Sequence, residues 1–173
     1  MKSVGEVMAI GRSFTESLQK AFRSLESGLN GLDDIEIAIE NEETKLKILT
    51  EKLKIASPNR ILLIAQAMRE GMSLEEINKI TFYDPWFLEQ IQSIVLVEEQ
   101  VKKEGLPKDY DAFLNLKRMG FGDARLAKLT NLDEKTVREL RLELGVKPSY
   151  KRVDSCSAEF DTNTSYMYSS YED

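Results

Sequence analysis

Histidine is absent from this 173-residue sequence. The commonest general base and the commonest transition-metal ligand are therefore missing. That excludes a serine–histidine triad, a thiolate–imidazole pair and a histidine-type zinc site together. Cys156 is the single cysteine, so no internal disulfide can form, a usage compatible with a reducing cytosol and a cytoplasmic location. It has no basic neighbour within two positions and reads as an inert thiol rather than a nucleophile. The nine glycines are scattered singly, and neither G-x-x-x-x-G-K-[ST] nor G-x-G-x-x-G occurs, so no phosphate-cradling loop is visible. No apolar run approaches the roughly 18 residues of a membrane span. Glu6 and Arg12 flank the only apolar stretch near the amino terminus, unlike a signal peptide. Positive charge is also in deficit: the formal net charge is −6, which disfavours bulk attraction to nucleic acid or anionic lipid.

What is present fits one globular domain, with 42% hydrophobic and 31% charged residues. Helical periodicity dominates. SFTE at Ser13–Glu16 reads as a capping box, in which Glu16 reaches back to the cap. The apolar or small residues Phe14, Leu18, Ala21, Phe22 and Leu25 follow at helical spacing, with Gly28 as the stop. Residues 29–40 read as a loop. A second helix is predicted from Glu42 to Ala56, with Leu46, Leu49, Leu53 and Ala56 on one inner face, until Pro58 breaks it. ILLIAQAMRE forms an apolar helix ending at Gly71, and SLEE at Ser73–Glu76 is a second capping box. Asp84-Pro85 starts the longest helix, which stops at Gly105. Shorter helices are expected at Tyr110–Met119, Asp123–Leu129 and Asp133–Leu144. Glu40, Glu42 and Glu43 sit at a helix amino terminus, where the dipole explains them without a metal ion.

A shift of 49 residues lays REGMSLEEINKITFYDPWFLEQI over RMGFGDARLAKLTNLDEKTVREL. Arg69, Gly71, Lys79, Thr81 and Asp84 meet identical residues, and the apolar positions correspond. Each copy reads as helix, glycine stop, short helix, aspartate-capped turn and helix, and two such hairpins would share one small bundle core. The second copy also resembles a helix-turn-helix, with Lys135–Leu144 as the recognition helix. Arg125, Lys128, Lys135, Arg138 and Arg141 are balanced there by Asp123, Asp133, Glu134, Glu139 and Glu143. Glu139 and Glu143 would repel phosphate. A nucleic-acid-binding module is therefore the alternative and not the leading reading.

The two ends are different. Val4–Ile10, bracketed by Gly5 and Gly11, reads as a short strand with no partner. From Val146 onward no period is convincing. Composition there suggests a disordered tail, while Val153, Phe160, Tyr166, Met167, Tyr168 and Tyr171 suggest an extended segment lying on a larger body. The predicted class is all-α: a small bundle of two similar helix-turn-helix units, with a strand-like N-terminal segment and an extended C-terminal one. Nothing in these patterns assembles an active site.

MKSVGEVMAIGRSFTESLQKAFRSLE closely resembles the segment ending the first ATP-grasp half of the carbamoyl phosphate synthase large subunit. The similarity continues through WFLEQI, LKRMGFGDARLAKL, PSYKRVD, CSAEF and TSYMYSSYE. The resemblance implies a division into the end of that half (1–27), a helical oligomerisation or spacer domain (28–148) and a connector toward the second half (149–173). It implies that the chain is part of a larger ligase. That enzyme makes carbamoyl phosphate from bicarbonate, glutamine-derived ammonia and two ATP, for arginine and pyrimidine synthesis. Magnesium or manganese and potassium serve its ATP sites. The implied partners are the remaining domains, a glutaminase small subunit and further copies of the same chain, with neither nucleic acid nor membrane. The glycine-rich loops, metal-binding acids and phosphate-contacting arginines of the family lie in the ATP-grasp halves. No catalytic, cofactor-binding or metal-binding residue is therefore expected here. Lys2, Ser3 and Arg12 match the pattern but read as scaffold. Surface contacts are expected along the helix from Trp86 to Val101 and in the helical pairs after it. The apolar residues of both ends, among them Met8, Ile10, Phe160 and Tyr168, are expected to be only partly ordered alone.

Overall fold

The structure is a computed structural model that describes residues 6–37, 42–161 and 163–172. The helices are α1 (Phe14–Ser24), α2 (Glu42–Leu53), α3 (Arg60–Arg69), α4 (Leu74–Thr81), α5 (Pro85–Glu104), α6 (Tyr110–Arg118), α7 (Asp123–Thr130) and α8 (Glu134–Glu143). Two short strands follow, β1 (Ser149–Arg152) and β2 (Met167–Ser170). The helical class expected from periodicity is the one observed. The chain divides into two compact units, residues 32–104 and residues 1–31 with 105–173. One copy of the repeat falls in each.

The central unit consists of α2–α5 around Leu49, Leu53, Ile64, Ile77, Leu88, Ile91 and Ile94, all essentially inaccessible to solvent. The second-helix stripe holds for Leu49 and Leu53. It fails for Leu46, which is 37% exposed, and for Ala56, which lies past the helix and is exposed. Helix α2 ends at Leu53, before Pro58, so Ala56 has left the helical face. Glu98 of α5 is buried and pairs with Arg69 of α3 at 2.7 Å, and the Arg69 guanidinium also donates to the Leu32 carbonyl.

The other unit packs Phe113, Leu114 and Leu116 of α6 with Phe121, Leu126 of α7, Val137 of α8 and Val146. Local chemistry repeats between the units in detail. Gly71 and Gly120 take φ of +85° and +94°, and each is followed by a residue whose N–H closes the preceding helix, Met72 to the Ala67 carbonyl and Phe121 to the Leu116 carbonyl. This is the Schellman closure that a left-handed residue makes possible. Thr81 and Thr130 donate to the carbonyls of Ile77 and Leu126 at 2.7 and 2.8 Å. Phe82 and Asn131 end α4 and α7 at φ of 57° and 58°. Asp84 and Asp133 accept from the N–H groups of Trp86 and Thr136 at 2.9 Å each.

Two expectations are corrected. Residues 6–10 form no strand among the described residues, and 4–5 lie outside them. Instead of a ladder partner, the Ile10 carbonyl has the Lys20 ammonium at 2.7 Å. The carboxy-terminal part is neither a featureless tail nor a single extended segment. β1 and β2 pair antiparallel with Ser149 opposite Ser170 and Arg152 opposite Met167, and the Val153 N–H donates to the Tyr166 carbonyl at 2.9 Å. Pairing across an intervening loop is a non-local event that no local period announces. On α1 the most buried positions are polar rather than apolar. Thr15, Glu16 and Gln19 are buried, whereas Leu18, Ala21 and Phe22 are half-buried and Leu25 is exposed.

Candidate functional site

Helix α1 places Glu16, Gln19, Lys20 and Arg23 at i, i+3, i+4 and i+7, one continuous polar face. Its start explains why Glu16 points inward. Ser13 accepts from the Glu16 N–H at 3.2 Å, but Glu16 Oε2 accepts from Arg12 at 2.7 Å rather than from the cap residue itself. The capping exchange is thereby shifted by one residue, while Ser73 and Glu76 make the complete box on α4. The Glu16 carboxylate then pairs with Lys20 at 3.0 Å.

Each residue of this face reaches a different part of the same unit. Gln19 Nε2 donates to the Met119 carbonyl at 3.0 Å. Arg23 donates to the Gly120 carbonyl. Lys20 Nζ bridges the Ile10 carbonyl and the Ser169 carbonyl, so one ammonium ties residue 10 to β2. Arg12 pairs with Glu172 and lies 5.7 Å from the centre of the Tyr168 ring. Glu172 also pairs with Lys151 of β1. Lys151 first, then Arg12, hold the Glu172 carboxyl below its ordinary pKa. Arg118 of α6 donates to the Tyr171 carbonyl at 2.9 Å. These contacts form a clasp between the segment preceding α1 and the β1–β2 ladder.

Beneath the clasp lies a buried charge network. Lys117 Nζ, on α6, donates to the Phe121 carbonyl at 2.6 Å and to Asp123 Oδ1 at 2.7 Å. Arg141 of α8 meets both oxygens of Asp123 at 3.2 and 3.0 Å and donates to the Val146 carbonyl at 2.9 Å. The Tyr171 ring lies 5.3 Å from the Lys117 ammonium. Burial pushes the Lys117 pKa down to about 8, against the opposing pull of Asp123. Burial would raise the Asp123 carboxyl, but Lys117 and Arg141 more than offset it, and its pKa falls below the usual range. Burial raises the Tyr171 phenol.

Of the residues singled out from the sequence, Arg12 enters the clasp, while Lys2, Ser3 and Glu40 lie outside the described residues, as do the side chains of Glu42 and Glu43. Among the described residues no group of three or more histidine, cysteine, aspartate or glutamate side chains is placed to hold a metal ion. The helix-turn-helix reading gains nothing. Arg125 is fully buried. Lys135 and Arg138 pair along α8 with Glu139 and Glu134 at 3.8 and 2.9 Å, and Arg141 is taken up by Asp123. On the α5 surface expected to carry contacts, Trp86, Phe87 and Leu96 are 50%, 41% and 56% exposed, and Phe82 just before it 87%. Sequence reasoning missed the joint role of Glu16, Lys20, Arg23, Lys117 and Tyr171. The signal was present in the four polar positions repeating along one face of α1.

A helical unit fastened to a short strand pair by Arg12, Lys20 and Arg118 is the architecture that these contacts define. Comparison with known proteins identifies its kind. The profile of the family described as "Carbamoyl-phosphate synthetase large chain, oligomerisation domain" matches residues 6–145, and the chain belongs to that family. It is 52% identical to a carbamoyl phosphate synthase large chain of Brucella melitensis over 172 residues, covering 99% of this chain and 15% of that protein. The large chain of Buchnera aphidicola is 52% identical over 174 residues, covering 100% and 16%, and that of Pseudomonas syringae pv. tomato 51% over 174, with the same shares. The chain thus spans about one sixth of the length of these relatives.

Proposed function

We propose that the chain is a non-catalytic spacer within a carbamoyl phosphate synthase large chain, clasping together the segments that join it to the catalytic parts on either side. The observation that carries this reading is the Lys20 ammonium shared between the Ile10 and Ser169 carbonyls, reinforced by the Arg12–Glu172 pair. Segments far apart in sequence are thereby held side by side, and packed helices keep that separation constant. The half-exposed apolar side of α1 supports docking of a preceding domain there. On this reading 1–27 closes the first catalytic half, 28–148 is the spacer and 149–173 leads to the second half. ATP, magnesium or manganese, and potassium act in those halves on this reading.

The reaction assigned to the whole protein is ATP-dependent synthesis of carbamoyl phosphate from bicarbonate and glutamine-derived ammonia, in the cytoplasm, with a glutaminase small subunit as partner. Association between copies uses the aromatic surface of Phe82, Trp86 and Phe87. Phe82 holds a left-handed backbone, uncommon for a bulky residue, while presenting its ring to solvent.

The test is Lys20→Met in the whole large chain, with carbamoyl phosphate formation and limited proteolysis as readouts. Reduced synthesis together with faster cleavage near residues 6–12 and 163–172 is expected. Unchanged synthesis and an unchanged cleavage pattern would overturn the clasp. ATP hydrolysis by the 173-residue chain alone would contradict a non-catalytic role. Sedimentation of Trp86→Ala against the unaltered chain tests the aromatic surface, and equal association by both would refute it.

A further inference from the structure

The cavity under α1 carries more positive charge than its own acids neutralise. It encloses about 180 Å³, and its wall includes Glu16, Lys20, Arg23, Lys117, Tyr150 and Tyr171. Arg141 and Asp123 stand directly behind Lys117. Four cations thus gather with two carboxylates. Glu16 is occupied by Lys20 and the Arg12 N–H, and Asp123 is divided between Lys117 and Arg141.

Arg23 is left over. Among the described residues its guanidinium makes one hydrogen bond, to the Gly120 carbonyl, and no ion pair, although a guanidinium carries five N–H donors. The surroundings register the surplus. Burial lowers the Arg23 pKa, and after burial the charges of Arg141 and Arg23 both push Lys117 down. Asp123 and Glu16 oppose the fall at Arg23 through space, but neither forms an ion pair with it, and a partly desolvated cation without a directly paired anion is costly. The space is ample for more than a single water, and Tyr171, kept protonated by its raised pKa, can add an O–H donor.

We propose that this cavity binds one compact inorganic oxyanion of the phosphate or sulfate kind, held by the free N–H groups of Arg23 with Lys117 and Tyr171 completing the cradle. A guanidinium matches two oxygens of such an anion at once, whereas a spherical halide engages it less well. The anion would join α1, through Arg23, to α6, through Lys117, and to the residue following β2. Bound anion would therefore tighten the clasp.

The experiment is a two-dimensional amide NMR titration of the 173-residue chain at neutral pH and constant ionic strength, with sodium phosphate, sodium sulfate and sodium chloride in parallel. Saturable shifts confined to Gly120, Phe121, Tyr171 and their neighbours are expected with both oxyanions, and at most weak ones with chloride. Saturation by phosphate but not sulfate would narrow the ligand to the phosphate class. Arg23→Gln, which removes the charge-assisted hydrogen bonds, should weaken the affinity roughly tenfold or more. If that variant does not fold, Tyr171→Phe, which keeps the ring, should weaken it by a few-fold. Absence of any saturable shift with either oxyanion overturns the proposal, as do equal shifts with chloride or undiminished affinity in a folded Arg23→Gln.

Discussion

The two copies of the 49-residue repeat share their punctuation but not their interior. At the same 49-residue shift, Leu74 within the first copy and Met68 and Gln92 flanking it stand where Asp123, Lys117 and Arg141 stand for the second. Met68 belongs to an apolar core, whereas Lys117 is equally buried but charged. Gly71 has open space around the position a side chain would take, whereas a Cβ on Gly120 would lie 2.9 Å from the Glu16 Cα. Even Arg69 and Arg118, identical in type, differ: one pairs with Glu98 in the core, the other lies at the surface and donates to Tyr171. Turn chemistry thus builds the same frame twice, and a few substitutions inside that frame convert one copy into the anchorage for α1 and the strand pair.

The sharpest break of this comparison is Asp123→Ala. It leaves Lys117 and Arg141 buried without their carboxylate and should destabilise the chain by about 3–5 kcal/mol in urea unfolding. The triple exchange Lys117→Met, Asp123→Leu and Arg141→Gln restores the residues of the first copy and its flanks and should cost less than Asp123→Ala alone, since apolar replacements of whole buried ionic clusters are often tolerated. A larger loss in the exchange would show that the two interiors are not interchangeable frames.

Gly120→Ala should follow, at about 3 kcal/mol, because it adds a close backbone approach to a left-handed φ. Gly71→Ala meets only the conformational penalty, about 1 kcal/mol. Equal losses at the two glycines would remove the distinction drawn between the copies.

The pH response is the next contrast. Lys117 has a folded-state pKa near 8, below its unfolded value of 10.5, so between those values the unfolded chain binds more protons and stability rises with pH. The penalty is fully present below pH 8 and is relieved by about 2 kcal/mol between pH 8 and pH 10. Above pH 10 the raised Tyr171 pKa works in the opposite direction. Lys117→Met should flatten the rise; an unchanged profile in that variant would assign it to another group.

The smallest effect concerns the caps. Ser73 closes α4 with a side-chain hydrogen bond, and Gly122 at the matching position of α7 has none. Ser73→Ala should therefore cost about 1 kcal/mol by thermal unfolding.

Short-range chemistry was legible throughout. The glycines at 71, 105 and 120 stop helices because only residues tolerating positive φ can turn the chain there. The caps at Ser73, Asp84 and Asp133 engage N–H groups two or three residues on. The repeat was readable for the same reason, since its identities fall at such positions. The site was not. Phe14, Leu18 and Phe22 recur at helical spacing, yet the Gln19 and Glu16 side chains are the more buried ones, because Met119 and Arg12 meet them from outside the helix.

The order of helices, most of their caps and the twofold pattern thus follow from the chain alone, since each rests on interactions spanning a few residues and a helical period. Which face of α1 turns inward, the pairing of residues 149–152 with 167–170, and the gathering of four cations around two acids arise only when distant segments meet. There the balance between desolvation and pairing depends on neighbours that no local window contains.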